Sequence, residues 1–266
     1  MTQTSGVQPT FASEFKNEWK NFAQLFKRVK RQPSRKKVHD FRVSSRRLEA
    51  YLSLIKDFSK GAGSDRKVSG INKKLKMLRT ELGEVRNFDA DLDLIKTVAI
   101  KPPDQVIETL IQKRKKQSKI VSRHFKKVTL KKQSKLIQDL VRSLSKAQLK
   151  KSVSAQSILK KSEAEVLSAF RQSMHKARMK AKTLRYQAEI LQNLGYSPKV
   201  KFDQLIDLQE KVGNLQNTII LLGALEKGSL NNLRCKTIEF QKALKIKQQD
   251  LTLSSQIAFQ GAPWVN

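Results

Sequence analysis

Two stretches of the chain repeat one another at an offset of 136 residues, and both show the period of an amphipathic helix. VHDFRVSSRRLEAYLSLI (38–55) aligns with MHKARMKAKTLRYQAEIL (174–191), with a histidine at the second position of each. A second block, around Gly83 in one copy and Gly213 in the other, repeats at an offset of 130. Repetition on this scale indicates two related structural units. A helical core explains the repeated apolar positions, but it does not explain the repeated histidine and basic positions.

Apolar residues recur at steps of three and four along most of the chain, which predicts helices throughout. Ten glycines and six prolines among 266 residues are too few for the many turns of an all-β chain. We therefore expect an all-α fold. The expected divisions are a first half at about 10–130, a linker at 147–156, a second half at about 155–257 and a tail at 258–266.

Several local boundaries can be predicted from the helix pattern. The pattern from about 157 to 195 predicts one helix, and 199–213 and 214–227 predict two further helices. Pro102 and Pro103 end an earlier helix, and Asp104 is a candidate N-cap for the next. The spacing from the histidine to the glycine is six residues shorter in the second copy, from His175 to Gly213, than in the first, from His39 to Gly83. We therefore expect a shorter loop there, without a counterpart of GAGSD (61–65).

The charge is the strongest indication of function. Lys and Arg total 55 and Asp and Glu total 23, for a formal net charge of +32. This excess predicts a polyanionic partner, which could be nucleic acid, an anionic membrane surface or a polymer of phosphate. Cys235 is the one cysteine, so an internal disulfide is excluded. We expect no cofactor, no signal peptide and no membrane span, and we expect a cytoplasmic protein.

The basic residues of the two repeated helices fall on one side of each helix. With about 100° per residue, Arg35, Arg42 and Arg46 lie within about 60° of His39, and the apolar residues lie opposite. Such a stripe suits phosphate, because Arg binds two phosphate oxygens at once and Lys supplies a point charge. A solvated basic face is the alternative. The second helix has the same arrangement around His175, formed by Arg171, Arg178, Lys182 and Arg185.

The remaining candidates are one basic stretch and the two histidines. Residues 109–138 hold eleven Lys and Arg and no acidic residue, so the stretch either extends the anion path or is a solvated helix. Arg114 is its one candidate ligand. Neither His39 nor His175 has Asp, Glu or Cys at metal or triad spacing. We predict no metal site and no catalytic residue; the histidines are either hydrogen-bond donors to phosphate or buried structural residues.

Three motifs together resemble the CHAD family, the conserved histidine α-helical domain. They are V-H-D-x-R-V-x-x-R-R-L (38–48), L-G-x-x-R-x-x-D (82–89) and H-x-x-R-x-x-x-K-x-L-R-Y (175–186). The resemblance implies two pseudo-symmetric four-helix bundles that form one domain, with a basic groove or pore between them that binds inorganic polyphosphate. It also implies a protein that is not an enzyme. The matching basic positions are His39, Arg42, Arg46, Arg86, His175, Arg178, Lys182 and Arg185.

The chain also departs from the family pattern. Glu49 stands where the first motif usually has a further Arg, and Thr183 replaces a basic residue in the second. Asn87 and Asn217 replace the usual Asp of the L-G blocks. No segment carries the E-x-E-x-K motif of the CYTH domain that accompanies many CHAD domains, so the resemblance is to a stand-alone member.

Three functions follow from these observations. The first is a polyphosphate-binding module that serves storage, protection or targeting to polyphosphate granules. The second is a nucleic-acid-binding protein, which the charge supports although no base-reading motif is visible. The third is a polyphosphate-processing enzyme, for which the sequence offers no acidic cluster for a divalent metal and no Gly-rich phosphate loop.

Overall fold

Ten α-helices and no strand occupy the residues described by the computed structural model, which are 10–58, 64–146, 155–226, 238–260 and Trp264. The predicted all-α fold is therefore confirmed. Cys235, most of the predicted linker and tail and most of the GAGSD segment lie outside the described residues. The helices are α1 (Phe11–Arg31), α2 (Arg35–Phe58), α3 (Ser64–Glu81), α4 (Gly83–Ile95), α5 (Asp104–Lys127), α6 (Lys131–Lys146), α7 (Ala155–Gln172), α8 (Met174–Asn193), α9 (Phe202–Glu226) and α10 (Ile238–Gln260).

Aromatic packing fixes the first helices against one another. α1 begins at an N-cap, Thr10, whose hydroxyl accepts a hydrogen bond from the Ser13 amide. Its apolar face then buries a run of aromatic rings. The Phe22 ring lies 4.8 Å from that of Phe41 on α2, and the Phe26 ring lies 5.4 Å from that of Phe125 on α5. These contacts bring α1, α2 and the end of α5 into one core.

Two hydrophobic clusters divide the core. The larger contains residues of α1, α2, α3, α6, α7 and α8, and the smaller contains residues of α4 and α10. The long helices α5 and α9 contribute to both, each with one half in either cluster, and α4 and α10 each add one residue to the larger cluster, Val85 and Phe259. α2 and α8 pack directly against each other, and α4 packs against α9. The two helices that carry the repeated basic positions therefore meet at the centre of the molecule.

Three predicted boundaries are wrong. The helix expected at 157–195 is interrupted at Ser173, which caps α8 by accepting a hydrogen bond from the Lys176 amide at 3.1 Å. α9 continues through Gly213 without a break, although two helices were expected there. Asp104 is not the N-cap of α5, because Pro103 occupies that position. Asp104 lies in the first turn of the helix, where its negative charge interacts favourably with the helix dipole.

The expected shorter loop is also wrong. Residues 194–201 separate α8 from α9, whereas only 59–63 separate α2 from α3. The difference arises in the helices, because α9 reaches Gly213 about three turns after Phe202, whereas α3 runs about five turns from Ser64 to Glu81 before Gly83 begins α4. The pseudo-twofold relation between the halves and the division of the chain into them stay predictions.

No described helix has both the length and the apolar character required to cross a bilayer.

The aromatic core predicts a large effect of one truncation. Phe41 is fully buried and touches rings from α1 and α5. We expect Phe41→Ala to lower the free energy of unfolding by about 3–5 kcal/mol, because it removes a large buried ring and leaves a cavity. Urea denaturation followed by circular dichroism measures this. Tyr196→Ala is the control: Tyr196 is 45% exposed, so a change within about 0.5 kcal/mol is expected. Equal effects would contradict the assigned core.

Candidate functional site

A cavity of about 360 Å³ lies where α2, α4, α8 and α9 meet, and its lining is strongly basic. Seven of the lining side chains are Arg, Lys or His, and each was singled out from the sequence. None of the described residues that line it is Asp or Glu. The helices place these charged side chains around one shared space, so an anion inside it would contact several of the side chains at once. The seven are His39, Arg42, Arg46, Arg86, His175, Arg178 and Lys182.

Two of these arginines are held by backbone carbonyls of neighbouring helices. Arg42 Nη1 donates to the Arg79 carbonyl of α3 at 2.7 Å, and Arg178 Nε donates to the Gln209 carbonyl of α9 at 3.2 Å. Arg42 and Arg178 correspond at the repeat offset of 136, and the two carbonyls correspond at 130. One bond from each guanidinium fixes its position, and other N–H groups of the same fork can serve a ligand.

A glycine provides the space for Arg178. A Cβ atom added at Gly213 would lie only 2.7 Å from Arg178 Nη2, closer than real Cβ contacts come. Glycine inside a helix costs about 1 kcal/mol relative to alanine, so its presence within α9 requires a reason. The close approach of the guanidinium to the α9 backbone supplies that reason. Gly83 differs, because a Cβ there would meet nothing within 4 Å.

Burial and mutual repulsion perturb the charges of the cavity. The pKa of Arg42 and that of Arg178 are each lowered to about 10, first by burial and then by neighbouring arginines. The pKa of Lys182 is lowered to about 6, by burial first and then by the charges of Arg178 and Arg46. The crowded cations repel one another, and an anion among them would reduce that repulsion.

Arg46 forms an ion pair with Glu49, the acidic residue that departs from the usual pattern of the first motif. Arg46 Nη1 donates to Glu49 Oε2 at 2.9 Å, and Glu49 Oε1 accepts from Arg79 Nη2. Arg79 is buried, and its Nη1 donates to Ser45 Oγ at 2.6 Å. Arg79 was not predicted as part of the site. The acidic residue at position 49 was the available signal, because a buried carboxylate needs a cationic partner.

Arg35 and Arg114 are placed outside the cavity, each beside an aspartate of α4. Arg35 forms an ion pair with Asp93, and about half of its side chain is exposed. Arg114 Nε donates to the buried Asp89 carboxylate at 2.8 Å, and its Nη2 donates to the Pro33 carbonyl at 3.1 Å. Arg114 therefore ties α5 to α4 and to the α1–α2 connection. The structure does not bring either residue into the cavity lining.

Arg185 and Arg171 also lie outside the cavity lining. Arg185 is paired with Glu189 at 3.5 Å and lies over the Tyr186 ring at 4.8 Å. Its charge still bears on the cavity, because it contributes to the lowered pKa of Lys182. Arg171 is exposed in the last turn of α7. A direct role of either residue in binding stays a prediction.

Neutral amides complete the polar lining. Asn87 of α4 and Asn217 of α9, which correspond at the repeat offset of 130, both line the cavity, together with Gln216. The sequence marked both asparagines only as departures from the usual Asp. In the cavity the difference has a clear consequence, since an amide can donate to an anion and a carboxylate would repel it.

Metal-ligating groups do not cluster in the part of the chain that the structure describes. No group of three or more His, Cys, Asp or Glu residues there is arranged to hold a metal ion.

Comparison with known proteins agrees with the fold and the motifs. The family model of the CHAD domain matches residues 18–226. No curated protein sequence matches significantly. Among solved structures, the crystal structure of the CHAD domain from the plant Ricinus communis is similar, with 18% identity over 96% of this chain and 92% of that chain and a TM-score of 0.64. This likeness shows the same fold. Because the family model matches well over half of the sequence, the chain belongs to the CHAD domain family.

Proposed function

We propose that this protein binds inorganic polyphosphate in the cavity between α2, α4, α8 and α9. The observation that carries the proposal is the convergence of seven basic or histidine side chains on one cavity without a lining carboxylate. Membership of the CHAD family supports it, because the family is associated with polyphosphate in general. We further propose that the binding serves storage, protection or targeting to polyphosphate granules in the cytoplasm.

A linear polymer of phosphate matches this arrangement better than a single phosphate. Each charge-assisted hydrogen bond contributes at most about 1.5–3 kcal/mol, so tight binding needs several contacts at once. Arg42 and Arg178 lie on different helices, and a chain between them meets both in one binding event. The second contact then forms at a high effective concentration. Affinity should therefore rise with chain length and fall steeply with salt.

Two other functions remain as alternatives. A polyphosphate-processing enzyme that uses a divalent cation would need carboxylate ligands for it, and none of the described lining residues is Asp or Glu. The family is generally non-catalytic, which also supports a binding role. Single-stranded nucleic acid would need exposed aromatic rings for base stacking, and Tyr186, the aromatic residue of the lining, is only 5% exposed.

The two anchored arginines supply the first test. We expect Arg42→Ala and Arg178→Ala each to weaken binding of long-chain polyphosphate and to lower the slope of log affinity against log salt by about one unit, because each removes a phosphate contact. Isothermal titration with polyphosphates of graded length measures both effects. Lys56→Ala is the control, since Lys56 is exposed on α2 and lies outside the lining. Affinity that does not grow with chain length would refute the proposed function.

Lys182 predicts a specific pH dependence. Its pKa of about 6 leaves it mostly neutral at pH 7 in the empty cavity. A bound polyanion favours the charged form, so binding takes up a proton, and affinity falls as pH rises above 6 by at most about tenfold per unit. Lys182→Arg should flatten this part of the profile, because an arginine stays charged. The comparison uses titrations of both proteins from pH 6 to 9, with the His39→Gln, His175→Gln double variant as a control for imidazole titration. An unchanged profile in Lys182→Arg would contradict the assignment.

The Gly213 contact predicts that adding one methyl group weakens binding. Gly213→Ala should displace the Arg178 guanidinium and reduce polyphosphate affinity, but by less than Arg178→Ala does, because the displaced guanidinium keeps its charge near the ligand. Gly223→Ala is a matched control on the same helix, because a Cβ there meets nothing within 4 Å. It should keep full affinity and gain roughly 0.5–1 kcal/mol of stability. In an Arg178→Ala background, Gly213→Ala should cause no further loss, and a further loss would show that it acts by another route.

A further inference from the structure

The turn between α5 and α6 carries a dense group of exposed cations that the cavity does not use. Lys126, Lys127, Lys131 and Lys132 all lie within four residues of Val128, and all four are exposed. The sequence has no Asp or Glu from residue 109 to residue 138. Among the described residues, no ion pair involves any of the four lysines. Their charges are therefore exposed to solvent without a neutralising carboxylate.

The end of α1 adds further charge to this turn. Lys30 Nζ donates to the Val128 carbonyl at 3.3 Å, and the neighbouring Phe26 and Phe125 rings pack against each other. The last turn of α1 therefore lies against the α5–α6 turn, and its Arg31 is exposed. We call this region the basic turn surface; it consists of Arg31, Lys126, Lys127, Lys131 and Lys132.

The helix dipoles do not explain all of this charge. Lys126 and Lys127 lie in the last turn of α5, where a positive charge interacts favourably with the helix dipole. Lys131 and Lys132 begin α6, whose first turn has no acidic residue, and a cation at a helix N-terminus is unfavourable. Two lysines are thus placed where they destabilise their own helix. A bound polyanion would offset that cost.

The basic turn surface is connected to the cavity along the chain. Only Gln32, Pro33 and Ser34 separate the end of α1 from Arg35 at the start of α2. The Arg114 bond to the Pro33 carbonyl holds this connection against α5. Arg35 in turn lies near enough to the cavity for its charge to lower the pKa of Arg86, which lines it. Cationic groups therefore continue from the cavity, past Arg35, to the basic turn surface.

We propose that a polyphosphate chain too long for the cavity leaves it over the α1–α2 connection and lies on the basic turn surface. This inference rests on the proposed function and extends it, because it assigns a second binding segment for the same ligand. A cavity of about 360 Å³ holds only part of a long polymer, so the remainder must lie on the protein surface or in solvent. The five cations of the basic turn surface lie beyond the α1–α2 connection, and no ion pair among the described residues neutralises them.

The surroundings favour a bare phosphate polymer over nucleic acid. The aromatic rings under the surface, Phe26, Phe41 and Phe125, are all buried. No ring there is available for base stacking, so the contact is with phosphate alone. A thin flexible polymer can also pass from the cavity to the surface, whereas a duplex cannot enter the cavity.

The experiment compares two variants with the same loss of charge. Titrations with tripolyphosphate and with long-chain polyphosphate are run on the parent and on both variants, over a range of salt concentrations. Circular dichroism verifies that each variant is folded. The test variant is Lys126→Gln, Lys127→Gln, Lys131→Gln, Lys132→Gln. The control removes four exposed lysines elsewhere and is Lys16→Gln, Lys20→Gln, Lys160→Gln, Lys199→Gln.

We expect the test variant to bind tripolyphosphate as the control does but to lose roughly tenfold or more in affinity for the long chain at low salt, with a salt slope lower by roughly three units. Equal losses in the two variants, or equal losses at both chain lengths, would overturn the proposal. Displacement of the long chain by RNA or duplex DNA from the parent but not from the test variant would assign the surface to nucleic acid instead. A parent that binds neither polyphosphate would refute the proposed function itself.

Discussion

The structure depends on placing two arginine guanidiniums, Arg42 and Arg178, inside a helical protein. α2 and α8 pack against each other, so their basic stripes face a common space and repel one another. A buried cation needs compensation, and each guanidinium obtains part of it from a backbone carbonyl of the next helix. These two bonds also fix where the charges point. The cavity is therefore preorganised for an anion before any ligand arrives, which reduces the ordering that binding requires.

The hydrophobic core makes this arrangement possible. On α2, Val38, Phe41 and Leu48 are fully buried, whereas His39, Arg42 and Arg46 face the cavity from the opposite side. Burial of large apolar side chains contributes about 1.5–3 kcal/mol each, so a run of them can offset the repulsion among a few cations. The core thus holds the like charges together, and the binding site depends on the stability of the aromatic contacts around Phe41.

Much of this could be predicted from the sequence, and the exceptions share a physical cause. Helical periodicity and the repeat predicted an all-α fold and six of the seven basic or histidine residues of the lining, and the family resemblance added the seventh, Arg86. Arg35, Arg114 and Arg185 were expected there as well, but each lies next to an aspartate or glutamate, from α4 or from the next turn of its own helix. The pairs of Arg35 and Arg114 join different helices and are invisible in one sequence, whereas the pair of Arg185 joins residues four apart on α8. Gly213 was predicted as a helix end, because glycine often follows the last residue of a helix. In the structure α9 continues through Gly213, and the glycine leaves room for the Arg178 guanidinium.

The distribution of acidic residues also separates structural from ligand-binding positions. Glu49 and Asp89 each contact arginines, which they hold at the edge of the cavity or between helices. At the lining itself, Asn87 and Asn217 present neutral amides. A carboxylate in either place would neutralise a neighbouring cation and repel a phosphate, whereas an amide does neither and can donate a hydrogen bond. Negative charge is therefore present where it orients an arginine, and among the described residues it is absent from the lining in which the polyanion is proposed to lie.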